Sequence, residues 1–171
     1  IILAPLGMVF WLSARISQMS ATKARNLFYV YGAIMGLSLA SILLVYTGAS
    51  VARAFFITAG AFAGLSLYGY STKRSLSAMG SFMVIGLFGL IIAMVVNIFL
   101  GSTQLEFVIS VGGVLIFAGL TAWDTQRIKS MYLAGDSREV AAKKSIFGAL
   151  TLYLDFINMF LFILRLFGNR E

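Results

Sequence analysis

Ser75-Leu-Ser-Ala-Met-Gly-Ser-Phe-Met-Val-Ile-Gly-Leu-Phe-Gly-Leu-Ile-Ile-Ala-Met-Val-Val-Asn-Ile-Phe-Leu-Gly-Ser-Thr-Gln-Leu105 contains no charged residue. About 20 apolar residues, rising 1.5 Å each, span the roughly 30 Å hydrocarbon layer of a bilayer, and this run exceeds that length. The same bareness extends outward in both directions, over 26–52, 54–72 and 107–123, and the stretches 1–14 and 145–154 are also uncharged. Overall, 60% of the 171 residues are apolar and only 11% are charged, whereas a soluble domain carries about 25% charged residues to keep its surface in water. The chain therefore reads as an all-α membrane protein. Helix is the expected state because lipid offers no partner to open backbone groups, and the runs are too long and too uniformly apolar for barrel strands.

Charges and turn residues divide the chain into one polytopic domain of six expected spanning segments, at about 1–16, 26–47, 51–70, 77–100, 104–130 and 145–167. The opening Ile-Ile-Leu-Ala-Pro reads as a start inside or just before a hydrophobic segment, with further sequence expected upstream. Gly32 with Gly36 and Gly60 with Gly64 have the four-residue spacing through which membrane helices approach closely. Ten of the 13 Lys and Arg residues fall in the connections after segments one, three and five. The positive-inside rule makes those connections cytoplasmic. The net charge of +7 is thus that of a membrane protein with basic connections, and not a nucleic-acid surface. Trp11 and Trp123 fall near the cytoplasmic boundary as an aromatic belt would place them, and Arg53 and Arg165 are read as interfacial residues that snorkel to headgroups.

Cysteine and histidine are both absent. That removes thiol nucleophiles, the usual zinc ligands and the usual switch near neutral pH. Proton or cation chemistry falls to six carboxylates: Glu106, Asp124, Asp136, Glu139, Asp155 and Glu171. An ionisable group within a spanning helix is costly, by roughly 2.5–3.5 kcal/mol on insertion scales, and so points to function. Asp124, in Gly119-Leu-Thr-Ala-Trp-Asp-Thr-Gln-Arg-Ile-Lys129, and Asp155, in Leu152-Tyr-Leu-Asp-Phe-Ile-Asn-Met-Phe160, qualify. Segment five runs toward the cytoplasm and segment six returns from it, which puts the two carboxyls at depths of roughly 8 and 15 Å. If they meet, they share a proton, because two carboxylates at low dielectric do not both ionise easily. Such a pair is bridged with one proton, repels with none and is uncharged with two. Its oxygens also suit a hard cation such as calcium. The plainer alternatives are a local ion pair from Asp124 to Arg127, and a hydrogen bond from Asp155 to Tyr153, Asn158 or the backbone. Glu106 opens segment five, where a carboxylate complements a helix N-terminus and could attract cations externally. Asn97 is expected to hydrogen-bond between helices or to line a pathway.

Leu-Tyr-Leu-Asp-Phe-Ile-Asn at 152–158, with Asp124-Thr-Gln-Arg-Ile-Lys129 in the preceding segment, resembles the last two helices of the Bax-inhibitor family, and the run of segments resembles that family over nearly the whole chain. The resemblance implies seven spanning helices, of which this sequence would lack the first. It implies a pH-sensitive calcium leak channel with Asp124 and Asp155 as pH sensor, possible calcium contacts and part of the ion pathway. A basic residue near the cytoplasmic end of the family's second helix can latch onto the pair; Arg15 is the best match, with Lys23 and Arg25 as the alternatives. No cofactor is expected beyond calcium as the transported ion; the partners are the bilayer, calcium and protons. The short loops resemble bacterial members, so a bacterial inner membrane is the expected location. A proton-coupled cation exchanger would use the same aspartates. A non-transporting scaffold, as in relatives described as suppressing cell death, would not. An intramembrane aspartyl protease also needs two aspartates, but its Tyr-Asp and Gly-x-Gly-Asp motifs are replaced here by Ala122-Trp123 and Tyr153-Leu154 ahead of the aspartates. A non-enzymatic role is therefore expected.

Overall fold

The computed structural model describes residues 11, 12 and 14–169. After a 3-10 turn at Ile16–Gln18 come five long helices: α1 (Ala21–Leu43), α2 (Gly48–Ser71), α3 (Ser77–Leu100), α4 (Thr103–Met131) and α5 (Arg138–Phe167). All five are long and apolar enough to cross a membrane, and the described residues form no strand.

Six spanning helices were expected, and the described residues contain five. Most of the first expected segment, 1–10 and 13, lies outside the described residues. Trp11, Leu12, Ala14 and Arg15 are helical and run directly into the 3-10 turn. The other boundaries shift where hydroxyl caps override the apolar pattern. Ser20 accepts a hydrogen bond from the amide of Lys23 and Ser137 from that of Val140, so α1 and α5 begin five and seven residues before the expected 26 and 145. Each thereby gains polar turns that stand beyond the apolar run. Thr47 caps α2 by accepting from Ser50, which ends α1 at Leu43 and starts α2 at Gly48. Ser102 caps α4 through the amide of Leu105, and Gly101 ends α3 with φ of 60°, a left-handed conformation that glycine adopts without strain.

The antiparallel pair α4 and α5 forms the centre. α2 packs on both of them, α3 on α4, and α1 on α5. One core cluster, including Leu90, Ile109, Phe117, Met159 and Phe162, fills the space among α2 to α5; a second, with Leu12, Ala24, Tyr31 and Leu150, joins the N-terminal residues to α1 and α5. The outer surface stays apolar. Leu37, Leu44, Ile98 and Phe99 are each more than three-quarters exposed, which in water would be a liability and in lipid is the expected outer face.

Close helix approach is achieved at different glycines from those the spacing suggested. A Cβ added at Gly32, Gly36, Gly60 or Gly64 would meet nothing, whereas one at Gly69 would strike the backbone carbonyl of Ala122 and one at Gly80 the ring of Trp123. Gly69 thus brings α2, and Gly80 brings α3, against the part of α4 that carries Asp124.

Side chains tie the loops of one end together. Gln126 accepts from the amide of Leu76 and donates to the carbonyl of Arg74. Lys129 donates to the carbonyl of Tyr70, and Lys143 to that of Ser17. Lys144 pairs with Asp136 at 2.6 Å. This end gathers the connections that hold ten of the 13 basic residues, so the positive-inside rule makes it cytoplasmic. At the other end the amide of Thr47 donates to the carbonyl of Asn169, and the amide of Asn169 to the hydroxyl of Ser50.

Candidate functional site: a buried aspartate pair

In the cytoplasmic half of the bundle α4 is buried over consecutive positions, with Leu120, Thr121, Ala122 and Asp124 all nearly inaccessible. Thr121 and Thr125 return their hydroxyl protons to their own helix, to the carbonyls of Phe117 and Thr121, so neither offers a donor to a neighbour. Among the described residues no hydroxyl donates to Asp124, which faces α5. It meets Asp155. Both aspartates are 5% exposed, and their carboxyl groups lie close enough to interact.

The plainer partners weighed for Asp155 are occupied elsewhere. Asn158 donates to the carbonyl of Leu154, and the ring of Tyr153 stands edge-on to Tyr31 and Phe28. Oδ2 of Asp155 is buried with no donor among the described residues. An ionised carboxylate only accepts, so contact between two of them is a hydrogen bond only while one holds a proton. The local alternative for Asp124 is also present: Nη2 of Arg127 lies 3.1 Å from Oδ1 of Asp124. The ion pair and the interhelical contact coexist.

Arg127 is also flanked by rings. Its guanidinium lies 4.8 Å from the centre of the Trp123 ring and 6.0 Å from that of Phe147, while Nε is buried without an acceptor. Trp123, expected in an aromatic belt, instead presses its ring on Gly80 of α3. Sequence reasoning missed this clip, although Trp123 and Arg127 stand four apart, on one face of a helix. Arg15, the expected latch, is exposed, as are Lys23 and Arg25. Among the described residues the ion pair to the aspartates comes from Arg127. No third carboxylate joins the two in a metal-binding group among those residues.

At the opposite end a cavity of about 610 Å³ is lined by Ser41, Tyr46, Asn97, Glu106, Arg165 and neighbouring apolar side chains. Glu106 lies in the first turn of α4, as expected. Asn97 lines this cavity, and its Oδ1 accepts from the amide of Ser102 and closes the turn between α3 and α4. Arg165 extends along the ring of Phe162, 5.6 Å from its centre, and is exposed, as is Arg53.

A bundle of apolar helices around a buried carboxyl pair defines an integral membrane protein that crosses the bilayer several times. Residues 1–171 match the family described as inhibitor of apoptosis-promoting Bax1, and the chain belongs to this Bax-inhibitor family. It is 49% identical over 173 residues to the inner membrane protein YbhL of Escherichia coli K12, covering all of this chain and 74% of that protein. A Rickettsia prowazekii protein, RP147, is 51% identical over 171 residues, covering all of this chain and 72% of the relative. YrjE of Lactococcus lactis is 48% identical over 164 residues, with 96% of this chain and 69% of that protein covered.

Proposed function

We propose that this protein is a pH-sensitive leak pathway for cations, calcium foremost, in a bacterial inner membrane, gated by the protonation of Asp124 and Asp155. The contact between these two carboxyls across the α4–α5 boundary carries the reading. Burying them has a large desolvation cost, and nothing in the packing of the outer helices requires it. With one shared proton the pair bridges the two central helices. Loss of that proton leaves two anions in mutual repulsion, and filling both sites abolishes the charge. The helices that carry the pair are those on which all the others pack, so a change in their contact reaches the whole bundle. Two carboxylates supply too few oxygens for a closed calcium cage, which takes six to eight ligands. They fit a cation in passage that keeps part of its water. The inner-membrane location is proposed from the name of YbhL.

The test is calcium flux into dye-loaded liposomes from about pH 5 to about pH 8, where a change in the proton shared by a coupled pair would register in the flux. Parent, Asp124→Asn and Asp155→Asn are compared. A leak whose pH profile changes in either variant supports gating by the pair. Uphill calcium movement driven by a proton gradient would turn the reading to a coupled exchanger. Absence of flux, or one profile for all three proteins, would leave a non-transporting scaffold as the function.

A further inference from the structure

We propose that Ser66 of α2 is a third polar member of the aspartate site, holding Oδ2 of Asp155 through one buried water molecule. The proposal rests on the reading above of the pair as the working site, and it adds a third helix to that site. The hydroxyls of Thr58, Ser110, Thr121, Thr125 and Thr151 each donate to the carbonyl four residues back on their own helix. Ser66 does not, although Phe62 stands at the same spacing before it. Its Oγ is buried and bonds to nothing among the described residues, and the same is true of Oδ2 of Asp155.

The two atoms face one seam. Positions three and four apart share a face of a helix, so Ser66 lies on one face with Phe62 and Gly69. The ring of Phe62 stands 5.4 Å from that of Phe156, the residue after Asp155. Gly69 abuts Ala122, two residues before Asp124. Ser66 is therefore bracketed by one contact to α5 and one to α4, at the boundary on which both aspartates lie. No direct bond joins it to Asp155. A buried hydroxyl and a buried carboxyl oxygen left unbonded are each costly, and a buried water is held by about two to four polar partners. These two atoms supply two. The water accepts the Ser66 proton and donates one of its own to Oδ2. A donor there fixes the plane of the Asp155 carboxyl, so Ser66 is a positioning residue for the pair. It also ties that carboxyl to α2, which packs on both central helices.

The experiment uses the full chain in liposomes, with carbon-13 in the aspartate carboxyls. It needs no flux, so its outcome is separate from that of the leak. The three aspartates, Asp124, Asp136 and Asp155, give three carboxyl resonances, assigned with Asp124→Asn and Asp155→Asn. Solid-state NMR then measures the magnetisation that water protons pass to each carboxyl carbon. Asp136, in the connection between α4 and α5, is the control whose signal stays constant. In the parent, Asp155 is expected to receive magnetisation from water. Ser66→Ala should lose it, and Ser66→Thr, which keeps the hydroxyl, should retain it. Ser66→Ala should also lower the melting temperature by about 2–4 °C, the shift for one hydrogen bond in a chain of this size, and Ser66→Thr should recover most of it. No transfer to Asp155 in the parent, or equal transfer in the parent and Ser66→Ala, overturns the proposal. So does a Ser66→Ala protein that melts at or above the parent's temperature, because deleting an unpartnered buried hydroxyl relieves a cost.

Discussion

Glu139, in the first turn of α5, accepts a hydrogen bond from the amide of Ala21, the first residue of α1, at 2.6 Å. One helix thus supplies a carboxylate to the N-terminus of another that lies 118 positions away in sequence. The opening amides of a helix have no partner within it and carry the positive end of its dipole. α1 has no acidic residue in its own first turn, and Glu139 fills that role.

Glu139→Ala is accordingly expected to loosen the join between α1 and α5 without touching the aspartate pair. The loss is that of a helix cap, about 0.5–2 kcal/mol, and at the low end because the bond is exposed. Thermal unfolding in detergent measures it. Glu139→Gln keeps an accepting oxygen and should recover most of the loss. Equal transitions in all three proteins would contradict the assignment.

Gln126 does for α3 what Glu139 does for α1. Leu76, before the first residue of α3, has no side-chain cap, and Gln126 accepts its amide while donating to Arg74. Gln126→Leu should free the connection 72–76, which contains Lys73 and Arg74. The expected outcome is faster trypsin cleavage there, seen when the cytoplasmic face is exposed in inverted vesicles. A cleavage rate equal to the parent's would show that the loop is held by something else.

Gly69 and Gly60 lie on the same helix and should respond oppositely to alanine. At Gly69 the new methyl meets the backbone of Ala122, which cannot yield without moving α4 two residues from Asp124. Overpacking of this kind costs about 1–3 kcal/mol. At Gly60 nothing stands in the way, and alanine in a helix gains about 0.5–1 kcal/mol over glycine. Melting temperatures of Gly69→Ala and Gly60→Ala should therefore fall and rise respectively, and Gly69→Ala should also disturb the pH profile of any flux. Two shifts of one sign would refute the account of helix contact.

Much of the site was open to sequence reading. Asp124 and Asp155 stand out because they interrupt apolar runs in which a charge is expensive, and simple rise per residue placed them at similar depth. The Leu152–Asn158 motif added the family. Arg127 was visible as a local partner but not as the member of a ring clip, since that depends on Phe147 from α5 and on the space at Gly80 of α3. Asn97 closes a turn for a similar reason: the residue that needed an acceptor, Ser102, lay five positions on, and short-range backbone demands are hidden inside a uniformly apolar pattern.

By itself the sequence determined that this chain lives in a bilayer and that the apolar stretches of its helices run where charges are absent. Those are questions of the cost of moving single side chains out of water, and each residue answers for itself. Only the tertiary structure decided which glycines are contacts and which face lipid, and which base sits on the acids. In water an inward face announces itself by being apolar. In lipid the outer face is as apolar as the inner, so the period of the sequence no longer says which way a helix is turned, and only the packed bundle does.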